Sequence, residues 1–330
     1  MYFDPAIFNN TNYRLILIFL YSVFATWVAV PYVIKKCFQH GYVVKDMHKV
    51  GYPLVPVLGG VAILGGILVS LALSEVLIKD TTHLGGLFIF YFVVIIYGMY
   101  GLLDDIFHFK ARYSKIITLL VLSLPIGAIV SGTSINIFGS ALDLGIIYTL
   151  LFVPIYIMVV SNLINLHAGF NGLGPGTTLL MLIAAGVKSY MMHGVTDLIY
   201  LMPILGAVIV FYFFNKYPAK IFDGNVGAFV MGSALGTFLI VSDLEIFGMF
   251  ILIPHIVTFV LDTWVLVVKK TPDVEFPKPR KDGLIIIDKP MRYKSLKNVV
   301  CTWFCVNEKQ ATNILLLVTA VFCVIGVWLI

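Results

Sequence analysis

The chain alternates between long apolar stretches and short polar ones. A helix that crosses a bilayer needs about 20 apolar residues. Runs near that length, almost free of charge, occur at 12–34, 53–74, 85–103, 114–131 and 144–165, then at 173–190, 197–215, 225–241, 246–268 and 311–330. The pattern predicts ten helices. Within each run the apolar residues are continuous, whereas the strands of a membrane barrel would alternate them with polar ones. Residues 144–187 contain no Asp, Glu, Lys or Arg and are too long for one crossing, so the break is placed at the Gly- and Asn-rich segment NLHAGFNGLGPG.

Composition narrows the class. Of 330 residues, 60% are hydrophobic and 12% charged, against about 25% charged in soluble domains, and the mean hydropathy is +1.00. A soluble globular fold is excluded, and in lipid the backbone must satisfy its hydrogen bonds within helices. Cys37, Cys301, Cys305 and Cys323 are too few and too scattered for a disulfide framework or a zinc site and are read as reduced. The opening MYFDPAIFNNTNYR lacks a basic start and a small-residue cleavage site, so the first helix is read as its own anchor.

Charge placement adds topology. The connections after the first, third, seventh and ninth segments hold 19 of the 22 Lys and Arg residues, leaving Arg14, Lys79 and Lys188 on the other side. The positive-inside rule makes the basic side cytoplasmic. The expectation is an all-α integral membrane protein of about ten transmembrane helices with both termini external. It forms one polytopic domain over 1–330, with a cytoplasmic loop at 269–310 between helices nine and ten, in which LIIID is a short strand. No internal repeat is evident, and no basic face suits nucleic acid.

Polar residues at a membrane boundary carry information because burying them unpaired is costly. Asp104 and Asp105 are adjacent in GLLDDIFHFKARYSK. Two neighbouring carboxylates repel unless a metal ion or a cation is close, and acids at a helix C-terminus oppose the macrodipole. Lys110, Arg112 and Lys115 follow and could neutralise a phosphate or face anionic lipid. Asn162 and Asn165 share a helix face, and Asn171 follows among glycines; the alternative is an interhelical amide pair beside a flexible turn. Asp223, Gly224 and Asn225 open the eighth helix, where free N–H groups favour phosphate but Asn225 could serve only as a cap. Arg280 and Lys281 could grip a diphosphate or face anionic headgroups. Lys45, Asp46 and Lys49 carry the same ambiguity. His255 reads as hydrogen-bonded core. All five polar clusters fall on the face that Lys and Arg mark as cytoplasmic, which suits a metal-bound phosphate substrate meeting a lipid.

At these residues the chain resembles the polyprenyl-phosphate N-acetylhexosamine-1-phosphate transferase superfamily. The paired aspartates, the NLIN segment and the FDGNVG turn resemble its signatures in order and spacing. NLINLHAGFNGLGPG and Lys45-Asp46-Met47 are closest to the eukaryotic and archaeal branch. The resemblance implies transfer of GlcNAc-1-phosphate from UDP-GlcNAc to a polyprenyl (dolichyl) phosphate, with release of UMP and dependence on Mg²⁺, or Mn²⁺. This reaction opens lipid-linked oligosaccharide synthesis for N-glycosylation.

By matching positions, the resemblance assigns Asp104 and Asp105 to the chemistry, and Lys115 with the segment 158–166, including Asn162, to the lipid phosphate. It gives Asn165 and Asn225 to the metal, with Asp223 compensating for the amide at 225, where the family has Asp. Asn171 would meet the uracil, Arg280 the diphosphate, and Lys45, Asp46 and Met47 the substrate. The branch's P-R-H-R segment reads Pro279-Arg280-Lys281-Asp282 here, and its acid after Pro56 is Val57. Expected partners are a UDP-sugar, a polyprenyl phosphate, membrane lipids and, as an open option, a second copy of the chain. The site would lie on the cytoplasmic face of the plasma membrane in a prokaryote or of the endoplasmic reticulum in a eukaryote. Competing readings are another UDP-N-acetylhexosamine or undecaprenyl phosphate as substrate, a nucleotide-sugar or lipid-linked-sugar transporter, and an inactive scaffold.

Overall fold

A computed structural model describes residues 11–77, 81–109, 112–130, 132–137, 140–267 and 277–330. Each of the ten apolar runs contains a helix: α1 (Thr11–His40), α2 (Gly60–Leu77), α3 (Thr81–Phe107), α4 (Arg112–Leu122), α5 (Val153–His167), α6 (Leu173–His193), α7 (Leu198–Asn215), α8 (Gly224–Val241), the pair α9 (Glu245–Ile251) and α10 (Ile253–Val267), and, past a further helix α11 (Leu296–Phe304), α12 (Glu308–Leu329). Six of these helices are long and apolar enough to cross a membrane, and the pair α9 and α10 makes a seventh span if counted as one. The apolar parts of α2 and of α4 with its following turn, residues 60–74 and 115–128, are shorter. The protein is a helical membrane protein: among the described residues six helices, or seven spans with the bent pair, meet the full length and hydropathy of a crossing, and the shorter apolar helices accompany them.

Three departures from the sequence pattern have local causes. Residues 54–56 form strand β2, paired antiparallel with β1 (Val43–Lys45) through Val44 opposite Val55; Pro56 has no N–H to give a helix, and α2 starts only at Gly60. The ninth run is bent by 64°, because Pro254 at the start of α10 removes a donor and its ring displaces the carbonyl four residues back. The stretch before α5 alternates in polarity and forms a hairpin of β3 (Ser134–Ile137) and β4 (Ser140–Asp143). In the loop between α10 and α12, LIIID contributes β6 (Ile285–Ile286), which pairs with β5 (Lys278–Pro279).

α8 is the central helix, packed against α2, α3, α5 and α6, and its residues from Val226 to Ile240 are all buried. Its small residues permit that crowding. A Cβ on Gly232 would lie 2.5 Å from the Cα of Ser161 in α5, and one on Gly101 of α3 would lie 2.6 Å from the carbonyl oxygen of Asn225. Close backbone approach through small residues is how helices associate where lipid supplies no hydrophobic drive. A second apolar cluster joins Phe170 and Leu173 to Ile285, Val300 and Cys301 of the loop and to Ala311 and Leu315 of α12. It seats the loop over the α5–α6 turn.

Candidate active site

The last turn of α3 carries Asp104 and Asp105 to the first turn of α8. Both carboxylate oxygens of Asp105 accept backbone N–H groups there, from Asn225 and from Val226 at 3.0 Å each. The acid that opposes the dipole of its own helix therefore sits at the positive end of another. Asp104 is buried; it accepts from Lys115 at 2.6 Å, from the Asn225 side-chain amide at 3.1 Å and from the Phe109 N–H at 3.1 Å. The cation that a carboxylate pair requires is thus Lys115, on α4. Asn225 is not the helix cap, a position held by Asp223; it joins the two aspartates. Lys110 and the side chain of Arg112 lie outside the described residues.

Beside this pair lies a cleft of about 420 Å³, lined by Asp105, Asn165, Asn215, Asp223 and Asn225 together with the turn 168–170. One wall is closed by the backbone: Phe222 donates to the Pro56 carbonyl at 2.7 Å, and Gly59 and Gly60 donate to Phe222 and Asp223 at 2.9 and 3.0 Å. Gly224 has φ +67°, and a Cβ there would lie 2.5 Å from the Val57 oxygen and 2.6 Å from Asp105 Oδ2; the family-like glycine lets the backbone turn against the carboxylate. Asp223 Oδ2 is buried with no hydrogen-bond partner among the described residues. Burial, reinforced by the nearby Asp105 charge, lifts the Asp223 carboxyl to about 7. An unsatisfied buried carboxylate oxygen among amide and carboxylate oxygens is a donor set that suits a hard divalent cation.

The remaining expected residues divide between this cleft and other places. Asn165 lines it, whereas Asn162 bonds back to the Met158 carbonyl at 2.8 Å. Asp46 and Asn171, each under 3% exposed, meet in a separate network. Lys49 contacts both Asp46 and the Asn171 side-chain oxygen and reaches Glu308 at 3.2 Å. Asn171 also donates to Asp46 at 3.2 Å and accepts from the Ala219 N–H at 2.8 Å, and its own N–H donates to Glu308 at 2.7 Å. Lys45 is exposed and Met47 half-buried on the same hairpin. Asp46, His48 and Glu308 bring ligand atoms within 4.8 Å of one another, but the Lys49 ammonium already lies against both acids. Burial, with the Lys297 charge, pulls His48 down to about 4, so it is neutral at pH 7. Arg280 is exposed and forks onto Asp282, two residues on, and Lys281 is exposed beside it.

A model of glycosyl transferase family 4 matches residues 87–243. A Saccharolobus solfataricus protein named as a UDP-N-acetylglucosamine–dolichyl-phosphate N-acetylglucosaminephosphotransferase is 30% identical over 324 residues, covering 95% of this chain and 96% of the relative. The chain belongs to glycosyl transferase family 4. A Sulfolobus acidocaldarius protein of the same name is 30% identical over 72% of this chain and 74% of its own length. A Streptococcus agalactiae phospho-N-acetylmuramoyl-pentapeptide-transferase is 34% identical over 60% of this chain and 61% of its own.

The family-matched stretch holds both aspartates, Lys115, Asn165, Asp223 and Asn225 and omits the loop before α12. In that loop lies a residue the sequence reading passed over. Lys297, on α11, donates to the Ala168 carbonyl, and a Cβ on Gly169 would lie 2.7 Å from its ammonium, so it stands against the cleft wall. Burial lowers this ammonium from 10.5 to about 8, with Asp262 of α10 acting the other way. Nothing in the sequence distinguishes it from the loop's other lysines. Glu308 was missed for the same reason: a lone acid opening a helix reads as dipole compensation. His255, expected to be hydrogen-bonded, is buried with both ring nitrogens unpartnered among the described residues, and its ring lies tilted against that of His167 with centroids 4.1 Å apart.

Proposed function

We propose that this chain transfers GlcNAc-1-phosphate from UDP-GlcNAc to dolichyl phosphate and releases UMP, as the first step of a lipid-linked oligosaccharide. The observation that carries the reading is the convergence of Asp105, Asn165, Asp223 and Asn225 on one cleft at the ends of membrane helices, with Asp104 bonded to Asn225 and Lys115 bonded to Asp104 beside it. In the reaction an oxygen of the lipid phosphate forms a bond to the β-phosphorus of the donor, and the bond from that phosphorus to the UMP oxygen breaks. Positioning and charge neutralisation supply most of the catalysis in such transfers.

Lys115 takes the lipid phosphate, and Asp104, bonded to that lysine, keeps its charge oriented and accepts any proton the phosphate carries in. Asp105 fixes the start of α8, and so the place of Asn225. Asp223, Asn165 and Asn225 are the residues that would hold Mg²⁺ or Mn²⁺. The chemistry such an ion supplies when bound is neutralisation of the diphosphate charge. Asn225 contributes a neutral oxygen where the family has a carboxylate, and the unpartnered oxygen of Asp223 supports compensation from two residues earlier. Lys297 adds positive potential behind the 168–170 wall, while Arg280 is occupied by Asp282.

In this reading the chain acts as one transferase unit with ten crossings, both termini external and the cleft on the cytoplasmic side, supported by the segregation of Lys and Arg. The membrane is the plasma membrane in a prokaryote or the endoplasmic reticulum in a eukaryote. The Streptococcus relative favours a second reading, the same reaction with undecaprenyl phosphate or another UDP-N-acetylhexosamine. The test is UMP release by the purified chain given UDP-GlcNAc, dolichyl phosphate and Mg²⁺. The expected result is UMP that requires both the lipid and the ion and disappears with EDTA. Release only with undecaprenyl phosphate or another sugar selects the second reading, and no UMP from any pairing overturns the transferase.

A further inference from the structure

Two adjoining recesses lie on the far side of the 170–172 and 215–216 backbone from the cleft. The larger, about 360 Å³, is an apolar groove between α6 and α12, walled by Leu179, Leu180, Leu316 and Leu317 and backed by Tyr212. Its depth depends on Gly176, where a Cβ would lie 2.7 Å from the Leu316 side chain and 3.0 Å from the Tyr212 ring. The smaller, about 100 Å³, shares Tyr212 and Asn313 with the groove and adds Lys216 and Lys309. The two recesses meet at these shared residues, and together they offer a cationic head and an apolar body.

Its position relative to the membrane follows from the helices that build it. The apolar span of α7 ends at Asn215 and that of α12 begins at Glu308, so Lys216 and Lys309 stand at the same boundary. Asn313, Leu316, Leu317 and Ala320 follow one face of α12 and carry the groove about 10 Å into the apolar layer. Both lysines are exposed, and neither pairs with a carboxylate among the described residues. Glu308, the acid nearest Lys309 in sequence, is already bound to Lys49 and to the Asn171 N–H.

We infer that this recess binds an anionic glycerophospholipid, with one acyl chain in the groove between α6 and α12 and the phosphate held by Lys216 and Lys309. A chain in the groove covers apolar side chains with apolar lipid, while uncompensated lysines at a bilayer boundary select for net negative headgroups. A zwitterionic choline headgroup would bring its own cation against the same lysines. Asn171 also lines the head, but its side chain is taken up by Lys49, Asp46 and the Ala219 N–H, and the recess is walled off from the cleft where Gly172 donates to Asn215 at 3.0 Å. It does not depend on the proposed reaction.

The test is lipid retention by the full-length chain in native mass spectrometry, after equilibration with equal phosphatidylglycerol and phosphatidylcholine. The expected result is retention of phosphatidylglycerol over phosphatidylcholine by roughly tenfold or more, given the attraction of two lysines. Lys216→Gln with Lys309→Gln should bring the ratio near one, whereas Lys35→Gln with Lys36→Gln, which removes equal charge at the end of α1, should keep it. An equal fall in the control pair, or no preference in the unaltered chain, overturns the site. Retention of a polyprenyl phosphate in preference to phosphatidylglycerol, lost in the same double variant, would replace the proposed occupant with the isoprenoid.

Discussion

Asp105 does two jobs that one carboxylate can do and an amide cannot. It presents two oxygens to two backbone N–H groups and contributes charge to the cleft. In Asp105→Asn one of those N–H groups faces a donor. Loss of the cap should cost about 1 kcal/mol, read as a lower unfolding temperature, together with a fall in UMP release of about 10²- to 10⁴-fold. Asp104→Asn should lose comparable activity without the cap penalty, because Asp104 bonds Lys115 and Asn225 rather than the start of a helix. Unchanged turnover in both variants would remove the aspartate pair from the chemistry.

Lys297 offers a pH signature at the same scale. Its folded value, about 8, lies below its ordinary 10.5, so the positive charge is present below about pH 8 and is lost as pH rises through it. The groups facing it are Asp262 from α10, Cys301 and Lys294 from its own segment, His48 from the first hairpin and His167 at the end of α5, and His48 is neutral in this range. If the Lys297 charge assists donor binding, kcat/KM for the UDP-sugar falls above about pH 8. Lys297→Arg should move that limb upward and Lys297→Met should abolish it while raising KM. A limb that stays in place in both variants would assign it to another group.

At the scale of elements, the residues around Lys49 act as a strap. Lys49 draws together the hairpin of β1 and β2, the α5–α6 turn through Asn171 and the N-terminus of α12 through Glu308, and its ammonium lies 4.7 Å from the Tyr217 ring. Lys49→Met leaves two buried acids facing each other, which should cost about 3–5 kcal/mol. Adding Glu308→Gln should recover part of that loss, and thermal unfolding of the two variants measures it. Because Asn171 is held within this network, donor binding should weaken along with stability. If Lys49→Met unfolds at the original temperature, the strap contributes nothing.

For the whole molecule the distribution of charge defines two faces, and thiol labelling can tell them apart. Cys305 is exposed while Cys37, Cys301 and Cys323 are buried, and Ser140 is exposed on the hairpin of β3 and β4. An impermeant maleimide should label Ser140→Cys in intact cells and reach Cys305 only after permeabilisation. The reverse pattern would place the cleft on the outer side.

Helix locations were legible in the sequence because transfer of apolar residues from water to lipid depends on local composition, and all ten runs contain helix. Their counting as spans was less legible, since Pro254 bends one run and Pro56 turns the start of another into strand, effects that depend on single residues within an apolar average. The pairing of Asp104 with Asp105 as a candidate site was visible from charge repulsion alone. Its resolution was not: that Asp105 feeds the amides of α8 and that Lys115 neutralises Asp104 depend on α3 and α8 meeting at Gly101, a contact between residues over a hundred positions apart. Arg280 looked the equal of any cation in the sequence and is occupied by Asp282, whereas Lys297, one lysine among many, stands against the cleft. The sequence by itself determined that the chain lives in a membrane, where its helices lie and which residues could do chemistry, because burial and charge segregation are written locally. Only the tertiary structure decided which of those residues share one cleft, because long-range partners are chosen by close packing at small residues and by the cost of leaving a buried charge unpaired.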